Sequence, residues 1–150
     1  MRPILTVALL LCAAPAFAFC DFPGATPVGS LPPSLRAPLA EAIEVDLPTL
    51  TDIEDRVTTV EVATGTGNRF LCIDVNSGTV CSQGIPLCPI VIAEVETGRI
   101  LLAEWTQGLS FAADAATDWP DLRSDYRTNS GALSDTYTWR DGTYTLAQSN

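Results

Sequence analysis

Residues 68–96 read NRFLCIDVNSGTVCSQGIPLCPIVIAEVE, and the rest of the chain is organised around this stretch. Two apolar runs, 70–75 and 90–95, are separated by turn chemistry at Asn76, Ser77 and Gly78 and again at Gly84 and Pro86. Three of the five cysteines, Cys72, Cys81 and Cys88, fall inside or beside those runs. The stretch therefore reads as two strands clamped where the chain turns.

On the N-terminal side the period changes. Pro32 and Pro33 precede Ser34, a residue suited to capping a helix, and Leu35, Leu39, Ala42 and Ile43 then recur on one face. This spacing predicts an amphipathic helix over 34–45, stopped by Asp46 and Pro48, and it is the only convincing helix in the chain. Leu47, Leu50 and Ile53 form a second apolar set that fits a helical turn or a loop equally well. From Arg56 the period is two: Val57, Thr59 and Glu61 alternate with Thr58, Val60 and Val62, as in a strand ending at the Gly65–Gly67 turn.

On the C-terminal side short strands keep alternating with tight turns. Gly98 leads into 99–105, Gln107 and Gly108 turn the chain into 109–113, and Trp119-Pro120-Asp121-Leu122 opens a strand through Tyr126. Asn129, Ser130 and Gly131 turn it into 133–139, and Asp141-Gly142 then stands between Trp139-Arg140 and Thr143-Tyr144, a strong two-residue hairpin signal. Trp139 and Tyr144 flank that turn as a cross-strand aromatic pair. The expected fold is α+β: an antiparallel β-meander with one N-terminal amphipathic helix packed on it, stabilised by disulfides.

The first residues belong to a separate argument. Arg2, the apolar run 4–14 and Ala16-Phe17-Ala18 have the order of a secretory signal peptide cut after Ala18. The run is short for a membrane span, so the expected product is a periplasmic or secreted protein with no integral membrane segment. Residues 19–33, rich in proline and glycine, read as an irregular lead-in, and 34–150 as a single β-rich domain. Cleavage removes Cys12 and leaves Cys20, Cys72, Cys81 and Cys88, an even set in an oxidising compartment, which reads as two disulfides. The short interval with Gly84 and Pro86 favours Cys81 with Cys88, leaving Cys20 with Cys72; Cys72 with Cys81 is the rival pairing. No metal site and no cofactor are expected, since histidine is absent and Cys20 is remote in sequence.

Charge acts mostly by exclusion. After cleavage the chain carries seven arginines against eighteen acids, a formal charge of −11, with no lysine and no histidine. Such a surface repels nucleic acid and anionic lipid and is compatible with a basic exported protein or envelope component as partner.

The C-terminal motifs carry a resemblance. Cys81, Cys88-Pro89, Leu101-Leu102, Trp119-Pro120-Asp121-Leu122 and Trp139-Arg140-Asp141-Gly142-Thr143-Tyr144 together resemble the pattern of a loose group of small exported bacterial proteins of unknown function. The likeness spans about 70–146 and departs from the pattern at Asp118, where glycine is more usual. It implies a fold and a compartment, and no catalytic residue comes with it.

The familiar catalytic constellations are missing. Without histidine there is no Ser-His or Cys-His base, and without lysine no Schiff-base chemistry. Carboxylates alone can run a glycosidase, and Asp114, Asp118, Asp121 and Asp125 could converge on a substrate or a calcium ion, yet turn aspartates look the same in sequence. The expectation is therefore a protein that is not an enzyme. It would bind a protein or other macromolecule through Trp119, Asp121, Arg123, Asp125, Tyr126 and Arg127, large rings set among acids and arginines. A structural or envelope-maintenance protein without a dedicated site and a carboxylate-based hydrolase are the alternatives.

Overall fold

The structure, a computed structural model, describes residues 20–112 and 117–150. The expected leader at 1–18 and Asp114 lie outside the described residues. The chain begins with β1 (Cys20–Asp21) and β2 (Thr26–Val28), followed by a 3-10 turn at Pro33–Leu35. Two short helices come next, α1 (Arg36–Ala42) and α2 (Leu47–Asp52), and a second 3-10 turn at Glu54–Arg56. The remaining strands are β3 (Val57–Ala63), β4 (Arg69–Val75), β5 (Cys88–Glu94), β6 (Ile100–Thr106), β7 (Gly108–Phe111), β8 (Leu122–Thr128), β9 (Gly131–Arg140) and β10 (Thr143–Ser149).

The α+β class and the antiparallel pairing are as the sequence predicts, but the strands form two sheets rather than one. The first sheet has the order β2-β3-β4-β5-β6 and the second β1-β7-β8-β9-β10. The chain changes sheets twice, between β1 and β2 and again at Gln107, between β6 and β7. Turn residues report where strands end but not which sheet the next strand joins, so the division has no local signal.

The first sheet is covered on both faces. Leu71, Ile73, Val75, Val91 and Ala93 meet Leu35, Leu39, Ile43 and Leu50 of the helical layer. Phe70, Cys72, Ile90 and Ile92, on the opposite pleat, meet Leu109, Leu122, Tyr137 and Tyr144 of the second sheet. This double burial explains why 70–75 and 90–93 read as apolar runs, interrupted only by Asp74: every residue of either run is buried, whichever way it points. The second sheet packs on one face only, and its strands alternate instead, as in Leu122, Ser124 buried against Arg123, Arg127 exposed.

Two local readings need correction, and one left open is decided. The helix expected over 34–45 is a 3-10 turn leading into α1, which ends where Glu44 adopts φ of 59° and Val45 N–H donates back to the Ala40 carbonyl at 2.9 Å. The ambiguous apolar set 47–53 is helical: Asp46 Oδ1 accepts from Thr49 N–H at 2.8 Å, a cap that satisfies one orphan donor, and hydrogen bonding from the Thr49 side chain first and its backbone second lowers the Asp46 pKa. The lead-in at 19–33, expected to be irregular, supplies two edge strands. β1 pairs parallel with β7, and β2 pairs antiparallel with β3 with Pro27 opposite Val60. Proline is tolerated there because one side of an edge strand needs no donor.

Two disulfides join Cys20 to Cys72 and Cys81 to Cys88. The first links β1 of the second sheet to the middle of β4 in the first, so it ties the two layers together. The second closes the loop before β5. The rival Cys72–Cys81 pairing fails because Cys72 points between the sheets, where Cys20 reaches it.

Candidate functional site

The six residues expected to form a binding surface divide into two groups. Strand β8 carries four of them. Alternation sends Arg123, Asp125 and Arg127 to the outer face of the second sheet, while Leu122, Ser124 and Tyr126 turn inward. Together with Gln107, Gly108, Ala132, Leu133, Ser134 and Asn150, the residues Arg123, Asp125, Tyr126 and Arg127 line an open groove of about 380 Å³.

Each wall has a structural cause. Thr106, fully buried, anchors the start of β7: its hydroxyl donates to the Asp125 carbonyl at 2.9 Å and accepts from Ser124 Oγ at 2.7 Å. Gln107 N–H donates to the same carbonyl at 3.1 Å, and Arg127 N–H donates to Gln107 Oε1 at 3.0 Å, so the sheet-crossing residue is fixed at both ends. Asn150 and Ser134 exchange backbone hydrogen bonds of 2.9 and 3.1 Å and close the opposite side.

Electrostatically the groove is not acidic. Arg123 Nε donates to Asp125 Oδ1 at 2.8 Å, with both side chains about half exposed, so the pair neutralises itself and contributes little to stability. Arg127 is exposed and makes no ion pair among the described residues. Arg127 is thus the available guanidinium of this groove, on a chain whose overall formal charge is −10.

Tyr126 borders the groove, but its hydroxyl belongs to the other face and donates to Asp135 Oδ2 at 3.3 Å. Next to it Tyr137 donates to Glu104 Oε2 at 2.6 Å, bridging the two sheets. Burial, with the neighbouring carboxylates adding to it, raises the pKa of both tyrosines, so both stay protonated donors.

Trp119 and Asp121 stand apart from the groove. Trp119 is half-buried and stacks on Trp139 with ring centroids 4.4 Å apart and an interplanar angle of 13°. Trp139 in turn meets Tyr144 edge-on at 5.2 Å, and the Tyr144 hydroxyl donates to the Pro120 carbonyl at 2.9 Å. Asp121 is exposed beside this stack, its carbonyl accepting from Ala112 N–H at 2.8 Å. The stack locks the Trp119–Leu122 turn onto the β9–β10 hairpin, an internal role for the ring that sequence reading treats as an anchor.

Gln107, Ser134 and Asn150 were not among the expected site residues. Gln107 reads as a turn residue, and Ser134 was visible only as one phase of the alternation in 133–139. Among the described residues, no group of three His, Cys, Asp or Glu side chains is placed to hold a metal ion. Likewise, no helix among them is long and apolar enough to cross a membrane. A second groove, of about 420 Å³, runs between β2 and the start of β3; of its carboxylates Glu54 and Asp55, Glu54 is held by Arg36 at 2.6 Å. Compared with models of known protein families, with curated proteins and with solved structures, the chain matches none.

Proposed function

We propose that this chain is an exported domain that binds another macromolecule of the cell envelope without chemical turnover, using the outer face of β7, β8 and β9. The observation that carries the reading is the groove lined by Arg123, Asp125, Tyr126 and Arg127, in which Arg127 alone offers an uncommitted charge. A guanidinium presented on a strand recognises a carboxylate or a row of carbonyl oxygens. The acidic surface around it draws a partner that is basic overall, so attraction at long range and anchoring at short range come from different groups. The resemblance of the cysteine and Asp-Gly motifs to small exported proteins agrees with this compartment.

The test is capture from an envelope extract with the oxidised protein, repeated with Arg127→Ala. A basic component retained by the parent should be released by rising salt and bound roughly tenfold or more weakly by the variant, as expected for losing a charged hydrogen bond. Capture that is indifferent to both salt and Arg127 would sink the placement.

A second reading, a structural envelope protein without a dedicated site, is favoured by one observation. Trp105, Trp119 and Trp139 are all at least half-buried and engaged internally, Trp105 through an Nε1–H bond to the Val80 carbonyl at 3.3 Å. Such a protein would show no partner at any salt concentration.

A further inference from the structure

The pairing of β7 with β8 stops at Gly108, opposite Asp125, because the residues before Gln107 belong to β6 of the first sheet. Arg127, two residues further along β8, therefore has no strand beside it on that side. The Gln107 side chain fills the gap, its Oε1 accepting from Arg127 N–H at 3.0 Å. A backbone N–H can only donate, so this bond fixes which way the amide lies. Oε1 faces the strand, and Nε2, with no partner among the described residues, is left as a donor beside the groove.

Alternation sets Asp125 and Arg127 on the same outer face, about 7 Å apart along the strand. Asp125 gives Oδ1 to Arg123, and its Oδ2 has no partner among the described residues. Gly108, opposite Asp125 in the ladder, has no side chain to cover that oxygen, and a Cβ there would meet nothing within 4 Å. The groove thus offers two donors, Arg127 and Gln107, next to one open acceptor, Asp125.

Resting on the groove as the binding surface, we infer that it takes the C-terminal carboxylate of a peptide. Arg127 and Gln107 Nε2 donate to that carboxylate, and Asp125 accepts from the last peptide N–H. Of the carboxylates a polypeptide carries, the α-carboxylate alone has an N–H fixed two bonds away, its nitrogen about 2.5 Å from the carboxyl carbon. With a hydrogen bond of about 2.9 Å at each end, that group bridges side chains set about 7 Å apart. A side-chain carboxylate sits on rotatable bonds and supplies no donor at a set distance. A free amino acid has the same two groups but lacks the chain whose basic residues the acidic surface draws.

The experiment is fluorescence anisotropy of the oxidised protein with the labelled peptide Lys-Ala-Lys-Ala-Ala-Ala in three forms: the free acid, the C-terminal amide, and the free acid methylated on its last peptide nitrogen. The free acid should bind roughly tenfold or more tightly than either derivative, as expected when a charged hydrogen bond is lost. The sign is informative, because the amide carries one more net positive charge and attraction to an acidic chain without a carboxylate site would favour it. Arg127→Ala should bring free acid and amide to the same affinity. Gln107→Glu keeps an oxygen for Arg127 N–H and exchanges the donor for a negative oxygen, so it should weaken the free acid and not the amide, with the melting curve unchanged. Equal binding of acid and amide, both released by salt and by Arg127→Ala, would overturn the C-terminal site and leave the groove as the surface for a basic partner. Binding of neither peptide, a free-acid preference indifferent to Arg127→Ala, or displacement of the peptide by an equal concentration of free alanine would also overturn it.

Discussion

The two sheets have the same strand number and are built to different rules. The first is an inner layer: β4 and β5 are buried on both faces, and their side chains are almost entirely apolar. The second is a shell with one face on the core and one in water, where arginines, threonines and serines alternate with Leu122, Tyr137 and Tyr144. Burial of this kind contributes about 1.5 to 3 kcal/mol for each large side chain, so the layers divide the work: the inner sheet supplies stability, and the outer one supplies surface. The candidate groove belongs to the shell, where side chains vary without emptying the core.

The link between the layers is where the division is most easily broken. Cys20–Cys72 closes a loop of 52 residues in sequence and Cys81–Cys88 one of 7. On the chain-entropy account, replacing the first pair by alanine should cost about 4 kcal/mol and the second about 2 kcal/mol, measured as loss of unfolding free energy in urea. Equal losses would show that the Cys20 link does not hold the sheets together. Between these two losses, Ile92→Ala should cost about 3 kcal/mol because the site is closed on both sides of the sheet and collapses little. Thr145→Ala, on the exposed edge strand, should stay within about 0.5 kcal/mol. A similar cost at both positions would erase the distinction between layer and shell.

That distinction also governs what the sequence could reveal. The strands 70–75 and 90–95, the Asp141-Gly142 hairpin and the favoured cysteine pairs were legible because turn chemistry and apolar runs are local. The split into two sheets was not, since a strand buried on both faces looks the same whatever covers it. Nor was the fate of Trp119: its stacking on Trp139 depends on a turn meeting a hairpin twenty residues later in sequence. The groove was half legible. Arg123, Asp125, Tyr126 and Arg127 share one strand, and their nearness is a local fact, whereas Gln107, Ser134 and Asn150 arrive through long-range pairing.

A pH-dependent effect marks the place where the inner sheet's cover thins. Asp74 sits on the face of β4 that looks toward the second sheet, in the row Thr58, Asp74, Ile90, with Thr58 exposed and Ile90 fully buried. It is 8% exposed, and Oδ1 is buried with no hydrogen-bond partner. Burial raises its pKa from 3.8 to about 7. Below the unfolded value both states hold the proton and the site carries no penalty. Between about pH 4 and pH 7 the unfolded chain releases the proton while the folded chain keeps it, so stability falls as pH rises, and above the folded value the penalty is complete. At about 1.4 kcal/mol per unit, reduced because solvent still reaches part of the carboxylate, the penalty should amount to about 2 kcal/mol. Asp74→Asn keeps the shape and removes the charge. The difference in unfolding free energy between variant and parent should therefore grow in the variant's favour from pH 4 to pH 8, above any constant offset from the amide. A difference that is flat with pH would mean that the ionised carboxylate is solvated where it stands, and that the inner sheet is open at this end.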